Sequence, residues 1–148
     1  MRSSESGVNS SEVGVKSSEY QEAGMKGPPE DRFDFEELLV YQKALEYIGF
    51  VYEITEKFPE SEKYGLSSNF QRAAQSIALN IGEGSGGTKT EFARFLRIAR
   101  RSVRECLVST TIAKRRDYVR SSDERASRDF CCELSKMLSG LIKSLRNK

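Results

Sequence analysis

A chain of 148 residues, 37% hydrophobic and 31% charged, suits one domain, and it holds no apolar run near the ~18 residues that a membrane-spanning helix needs. It has no histidine and no tryptophan, which removes the commonest general base and the commonest metal ligand. The net charge of +2 is unevenly spread, because residues 89–116 carry nine basic and two acidic side chains (+7) while residues 1–31 carry three and six (−3), residues 32–88 five and nine (−4), and residues 117–148 seven and five (+2).

Residues 1–31 are rich in Ser, Gly and Glu and end in Gly27-Pro28-Pro29. So little apolar surface cannot offset the entropy of ordering, and a disordered tail is expected there. No basic start followed by an apolar stretch marks a secretory signal, so the expected location is the cytoplasm. The domain is expected over residues 32–148.

The first helix is expected from about Phe35 to Lys57, with Leu38, Tyr41, Leu45, Ile48 and Tyr52 on its apolar face and Ala44 and Val51 alongside. Pro59 stops it, since the residue before a proline resists the α conformation. The second runs from about Asn69 to Glu83, with Phe70, Ala73, Ala74, Ile77 and Ile81 on one side and Gly84 placed to close it in a left-handed conformation. The third, from about Lys89 to Arg116, repeats Phe92, Leu96, Ala99, Val103, Cys106, Thr110 and Ala113 in alternating steps of four and three, a heptad seam. The fourth, from about Ser122 to Leu145, turns Ala126, Phe130, Leu134, Met137, Leu138, Leu141 and Leu145 to one side.

Each start carries a capping-box signal: Asp34 with Glu37, Ser68 with Gln71, Thr88 with Glu91, and Ser121 with Glu124. Short links between amphipathic helices make neighbours antiparallel. The fold class is therefore all-α, an antiparallel up-down-up-down four-helix bundle. Cys106, Cys131 and Cys132 are an odd set with two adjacent members, which reads as reduced, buried thiols rather than a disulfide framework.

Three features bear on chemistry. Gly82, Gly84 and Gly87 make a formal G-x-G-x-x-G, and the segment falls one residue short of a phosphate-loop pattern because Thr88 stands where the lysine belongs. Those loops follow a strand, whereas here a helix precedes, so the glycines read as a tight helix-to-helix turn. The start of the third helix retains some capacity to attract an anion.

The second feature is basic. Arg94, Arg97, Arg101 and Arg104 step by three, four and three along one side of the third helix; Arg100 lies beside them, and Lys114, Arg115 and Arg116 extend the charge at the helix end. Arginine meets phosphate with a planar fork of donors, so these eight residues are the candidate nucleic-acid-binding set, contacting RNA or DNA through phosphates. The same row also fits a solvated face, or ion pairs to the acidic first and second helices of a neighbouring subunit. The third feature is the polar set Asn69, Arg72, Asn80 and Glu83 of the second helix, whose charged members Arg72 and Glu83, eleven apart, read as separate ion pairs to neighbouring helices or subunits. No serine has a histidine partner, so no catalytic set, metal site, cofactor or small-molecule substrate is expected.

Ordered blocks of the chain are similar to the signature of the 23S rRNA intervening-sequence protein family: Lys63-Tyr64-Gly65-Leu66-Ser67-Ser68, Arg72-Ala73-Ala74-Gln75-Ser76-Ile77, Asn80-Ile81-Gly82-Glu83-Gly84, the stretch Phe92 to Ser102, and Lys136 to Leu145. Ala78 and Gly82 depart from the pattern, where the family often has Pro and Ala. The resemblance implies a bacterial cytoplasmic four-helix bundle assembled as a ring, typically a homopentamer. It also implies kinship with retroelement accessory proteins that bind nucleic acid through a basic surface. The expected function is a non-enzymatic, nucleic-acid-binding accessory protein; the alternative is a protein-interaction module whose arginines pair with Glu36, Glu37, Glu53 or Glu56 of a neighbouring copy.

Overall fold

The computed structural model describes residues 32–146, so the expected tail over residues 1–31 lies outside the described residues. Four helices make up the bundle: α1 (Leu39–Thr55), α2 (Leu66–Ser85), α3 (Lys89–Arg115) and α4 (Ser121–Arg146). Side-chain contacts run in opposite directions along each neighbouring pair. Thr55 meets Gln71 and Tyr52 meets Gln75; Ser76 meets Ser102; Thr110 meets Ser127 and Arg100 meets Ser139; Tyr47 meets Ser127 and Lys43 meets Glu133. These contacts are consistent with an up-down-up-down path.

The start of the domain differs from expectation. A 3-10 turn, Asp34–Glu37, precedes α1, and Leu38 is extended (φ −71°, ψ 132°), so no continuous helix begins at Phe35. Glu36 closes the turn by accepting from Phe33 N at 3.0 Å, and Gln42 donates to Glu36 O at 3.0 Å. The bend drops Phe35 onto α2, edge-on to Tyr41 at 5.0 Å between ring centres. A Cβ on Gly82 would lie 3.3 Å from the Phe35 ring, so the glycine that departs from the family pattern is where this ring sits.

The apolar face of α1 is also rotated from the expected one. Val40, Ala44, Tyr47, Val51 and Ile54 are buried, whereas Leu45 and Tyr52 stay 46% and 38% exposed. Both rows of this helix are apolar, so periodicity alone did not choose between them. The row expected inside lines an open groove instead, where Phe35, Tyr41, Leu45 and Ile48 face Ala78 and Leu79 of α2.

Helix α2 begins at Leu66 rather than Asn69. Its cap residue is Gly65, and the first N–H is met by Glu62, whose carboxylate accepts from Leu66 N at 3.0 Å and from Tyr118 Oη at 2.9 Å; Ser68 lies inside the helix and Gln71 instead donates to Thr55 Oγ1. Those two bonds, the backbone one first, hold the Glu62 carboxyl below its ordinary pKa near 4.5. A carboxylate depressed on folding adds stability above its unfolded pKa and loses it as pH falls through the folded one. Glu62→Gln is therefore expected to shrink the stability lost on acidification below about pH 4.5, read by urea midpoints at neutral and acid pH.

Helix α2 then runs through Gly84 to Ser85, with no left-handed closure. Gly84 is buried, and its missing side chain lets α3 come close (a Cβ there would be 2.5 Å from Phe95 Cβ). Helix α3 starts as expected: Thr88 Oγ1 accepts from Glu91 N at 3.1 Å, and Glu91 accepts from Thr88 N at 3.0 Å. Asp117, in the left-handed region at φ 63°, turns the chain into α4. There Asp123, not Ser121, reaches back towards Arg120 N, at 3.4 Å.

Most of the seam of α3 and of the face of α4 buries as expected: Leu96, Ala99, Val103, Cys106, Thr110 and Ala113 share the core with Leu134, Met137, Leu138, Leu141 and Leu145, while Phe92, Ala126 and Phe130 stay half-buried. Inside lies a polar chain that periodicity did not reveal. Tyr47 Oη is 2.8 Å from Ser127 Oγ and 3.4 Å from Cys131 Sγ, and Ser127 Oγ is 2.7 Å from Thr110 Oγ1, which donates to Cys106 O. Every member is buried, and each hydroxyl is satisfied, so the chain fixes the register of α1, α3 and α4 without an orphaned group.

Burial pushes the Tyr47 phenol and the Cys106 and Cys131 thiols well above their ordinary values. Cys132 corrects the expectation of three buried thiols, because it faces outward. A thiol-specific reagent at neutral pH is therefore expected to label one cysteine rapidly, Cys132, and the other two only in denaturant.

Candidate nucleic-acid interface

Helix α3 has a polar row because its seam occupies one side and every third or fourth residue opposite it is arginine. Arg94, Arg97, Arg101 and Arg104 are all exposed. Successive members lie within about 60° of one another round the helix, so they form one row along nearly three turns. None of the four makes an ion pair among the described residues; the only acidic side chains of α3, Glu91 and Glu105, are not within ion-pair distance of them. Glu91 is held in its capping box instead. Arg94 lies over the Phe95 ring, 4.6 Å from its centre.

The remaining expected residues divide. Arg115 is exposed and falls in line with the row. Arg100 turns about 80° aside by helical geometry and donates to Ser139 Oγ of α4 at 3.0 Å. Lys114 is half-buried on the flank of the seam. Arg116 lies past the helix end, where a hydrogen bond with Tyr118 and the nearby Glu62 carboxylate raise its pKa. The structure thus brings five of the eight together; Arg100 engages α4, Arg116 engages the turn before it, and Lys114 stands apart from the row. The capping carboxylate of Glu91 already occupies the start of α3, so the anion expected there meets a negative charge.

Two features beside the row were not read from the sequence. Val108 and Ile112 stand exposed at 58% and 43%, and both follow the period of the arginines rather than that of the seam. That shared period was the available signal. Beyond them the surface opens into a groove of about 630 Å³ between α2 and α3, lined by Asn69, Arg72, Ser76, Arg104, Glu105 and Val108 among others. Among the described residues Arg72 makes none of the ion pairs expected to a neighbouring helix. It donates to Ser68 Oγ at 3.1 Å and to Asn69 Oδ1 at 2.7 Å. Asn80 likewise turns to its own helix, donating to Ser76 O and Oγ.

Together these features define an all-α bundle with one unpaired basic face, and none of its described helices is long and apolar enough to cross a membrane. The chain belongs to the 23S rRNA-intervening sequence protein family, whose model matches residues 36–140. Its fold is similar to the crystal structure of a protein of unknown function from the S23 ribosomal protein family of Bacteroides thetaiotaomicron. The two share 22% identity at a TM-score of 0.66, over 71% of this chain and 96% of that one. No curated protein matches the chain.

Proposed function

We propose that this chain is a non-enzymatic cytoplasmic accessory protein that assembles from several copies, a ring of five by family likeness, and holds RNA or DNA by its phosphates along α3. The observation that carries this reading is the exposed row Arg94, Arg97, Arg101 and Arg104, in which no guanidinium is engaged by a carboxylate among the described residues. Unpaired guanidiniums at this density repel one another and gain most from a polyanion, whose condensed counterions are released on contact. The row has no aromatic platform for stacking bases along it, which favours backbone contact over sequence readout.

A second reading rests on a separate observation. Val108 and Ile112 within the basic row, and the exposed Leu45 and Leu79 beside Glu83 on the α1–α2 side, are complementary in both polarity and charge. Such surfaces on one chain suit a head-to-tail contact between copies, which closes into a ring when the rotation permits. The arginines then serve assembly rather than a nucleic acid.

Light scattering on the native chain and on a variant with Arg94, Arg97, Arg101 and Arg104 changed to Ala separates the two. An unchanged oligomer with lost binding of labelled duplex DNA supports the phosphate reading. A variant that falls apart to monomers supports the assembly reading.

A further inference from the structure

The groove between α2 and α3 has a construction that the basic row lacks. At Gly84 the two helices pack so tightly that a Cβ would collide with Phe95, and further along Ser76 and Ser102 link them, their hydroxyl oxygens 2.8 Å apart. Towards Asn69 and Ser109 the surface opens to about 630 Å³, within the size range of pockets that take small organic groups. Ala73 and Val108 give it an apolar lining, Arg72 and Arg104 a positive charge on each wall, and Glu105, Ser76 and Ser109 supply acceptors.

Arg72 is the unusual member. Two of its five donors are already used within its own helix, by Ser68 and Asn69, which fixes the plane of the guanidinium. Three donors and a flat face remain for a ligand. Arg104 belongs both to the row on α3 and to this groove, so the groove is continuous with the row. The carboxylate of Glu105 disfavours a bare anion. A fitting ligand therefore joins a negative group to a flat ring that carries its own hydrogen-bond donor. An unpaired nucleotide has that combination: a phosphate, a ring face and, in adenine, cytosine and guanine, an amino group. Paired bases in a duplex keep their faces stacked and their amino groups engaged, so a duplex meets the row but not the groove.

We propose that this groove seats one unpaired nucleotide of a bound strand, with its phosphate at Arg104, its ring against Val108 and the plane of Arg72, and its amino group towards Glu105. The proposal rests on the phosphate-binding reading above and adds a preference for single strands with amino-bearing bases.

The test is fluorescence anisotropy on the full native oligomer and on Arg72→Ala and Arg72→Lys, using three probes: a 12-nucleotide adenine-rich single strand, a uracil-only strand and a duplex of the same length. Arg72 is exposed and bonds only within α2, so both variants are expected to keep the native fold and assembly. Losing the stacked contact is expected to weaken the adenine-rich strand about tenfold in both variants, since bases stack on the guanidinium plane and lysine lacks it. Duplex binding should change less than twofold, and the native protein should prefer the adenine-rich strand to the uracil strand. Equal weakening of strand and duplex, no weakening of either, or full rescue by lysine overturns the seat while leaving the phosphate reading intact. Failure of the native oligomer to bind any probe overturns both.

Discussion

Replacing Arg94, Arg97, Arg101 and Arg104 with Ala together is expected to lower affinity for duplex DNA roughly a thousandfold at about 0.1 M salt. The magnitude follows from counterion release, since each phosphate neutralised contributes about 0.9 to the slope of log affinity against log salt. Four contacts give a slope of about 3.6, which at about 0.1 M corresponds to between three and four decades. The row suits this because its four members share a face and no described carboxylate competes for them. Single changes should each remove about one unit of slope. Arg100→Ala should have a smaller effect, because that side chain already donates to Ser139.

The second large effect concerns the fold that presents the row. Gly84→Ala is expected to destabilise the bundle by about 2 kcal/mol, although alanine is the better helix former by roughly 1 kcal/mol. The added Cβ would stand 2.5 Å from Phe95 Cβ and 3.2 Å from Phe92 Cδ1. Phe95 Cβ is anchored to the backbone, so relief requires α2 and α3 to separate. Gly49 gives the opposite sign: it is exposed within α1 and a Cβ there would meet nothing within 4 Å. Gly49→Ala should therefore stabilise by roughly 0.5–1 kcal/mol. Urea denaturation of the two variants beside the native chain should place their midpoints on opposite sides of it.

The contrast between these glycines marks how far the sequence could be read. Helix number, the seam of α3 and the face of α4 were legible because each has one apolar side and one polar side. In and before α1, Leu38, Ala44 and Val51 bury as expected, but Val40 and Tyr47 take the inner places expected of Tyr41, Leu45 and Ile48, because the two rows are equally apolar. Only the presence of α4 against one of them decides. Of four capping signals, the Thr88–Glu91 box formed as written. At α2 a residue from the preceding turn, Glu62, took the place of Ser68, a tertiary arrangement that no local pattern encodes.

The arginine row was legible from its spacing, since three- and four-residue steps must share a face. Spacing alone sets Arg100 aside from the row and Lys114 on the flank of the seam; what it does not show is that Arg100 donates to Ser139 of α4 and that Arg116 lies by Tyr118 and Glu62. The groove was invisible for a related reason. Asn69, Arg72 and Glu105 come together across two helices, and the space they line exists only once α2 and α3 pack.

The central claim is that α3 holds nucleic acid by its phosphates, and the salt dependence of binding tests it most directly. The measurement is the affinity of the native oligomer for a labelled duplex across a range of sodium chloride concentrations, by fluorescence anisotropy. A straight line of log affinity against log salt, with a slope steeper than about −3, is the predicted result. No binding at low salt, or affinity that is flat across the series, would contradict it.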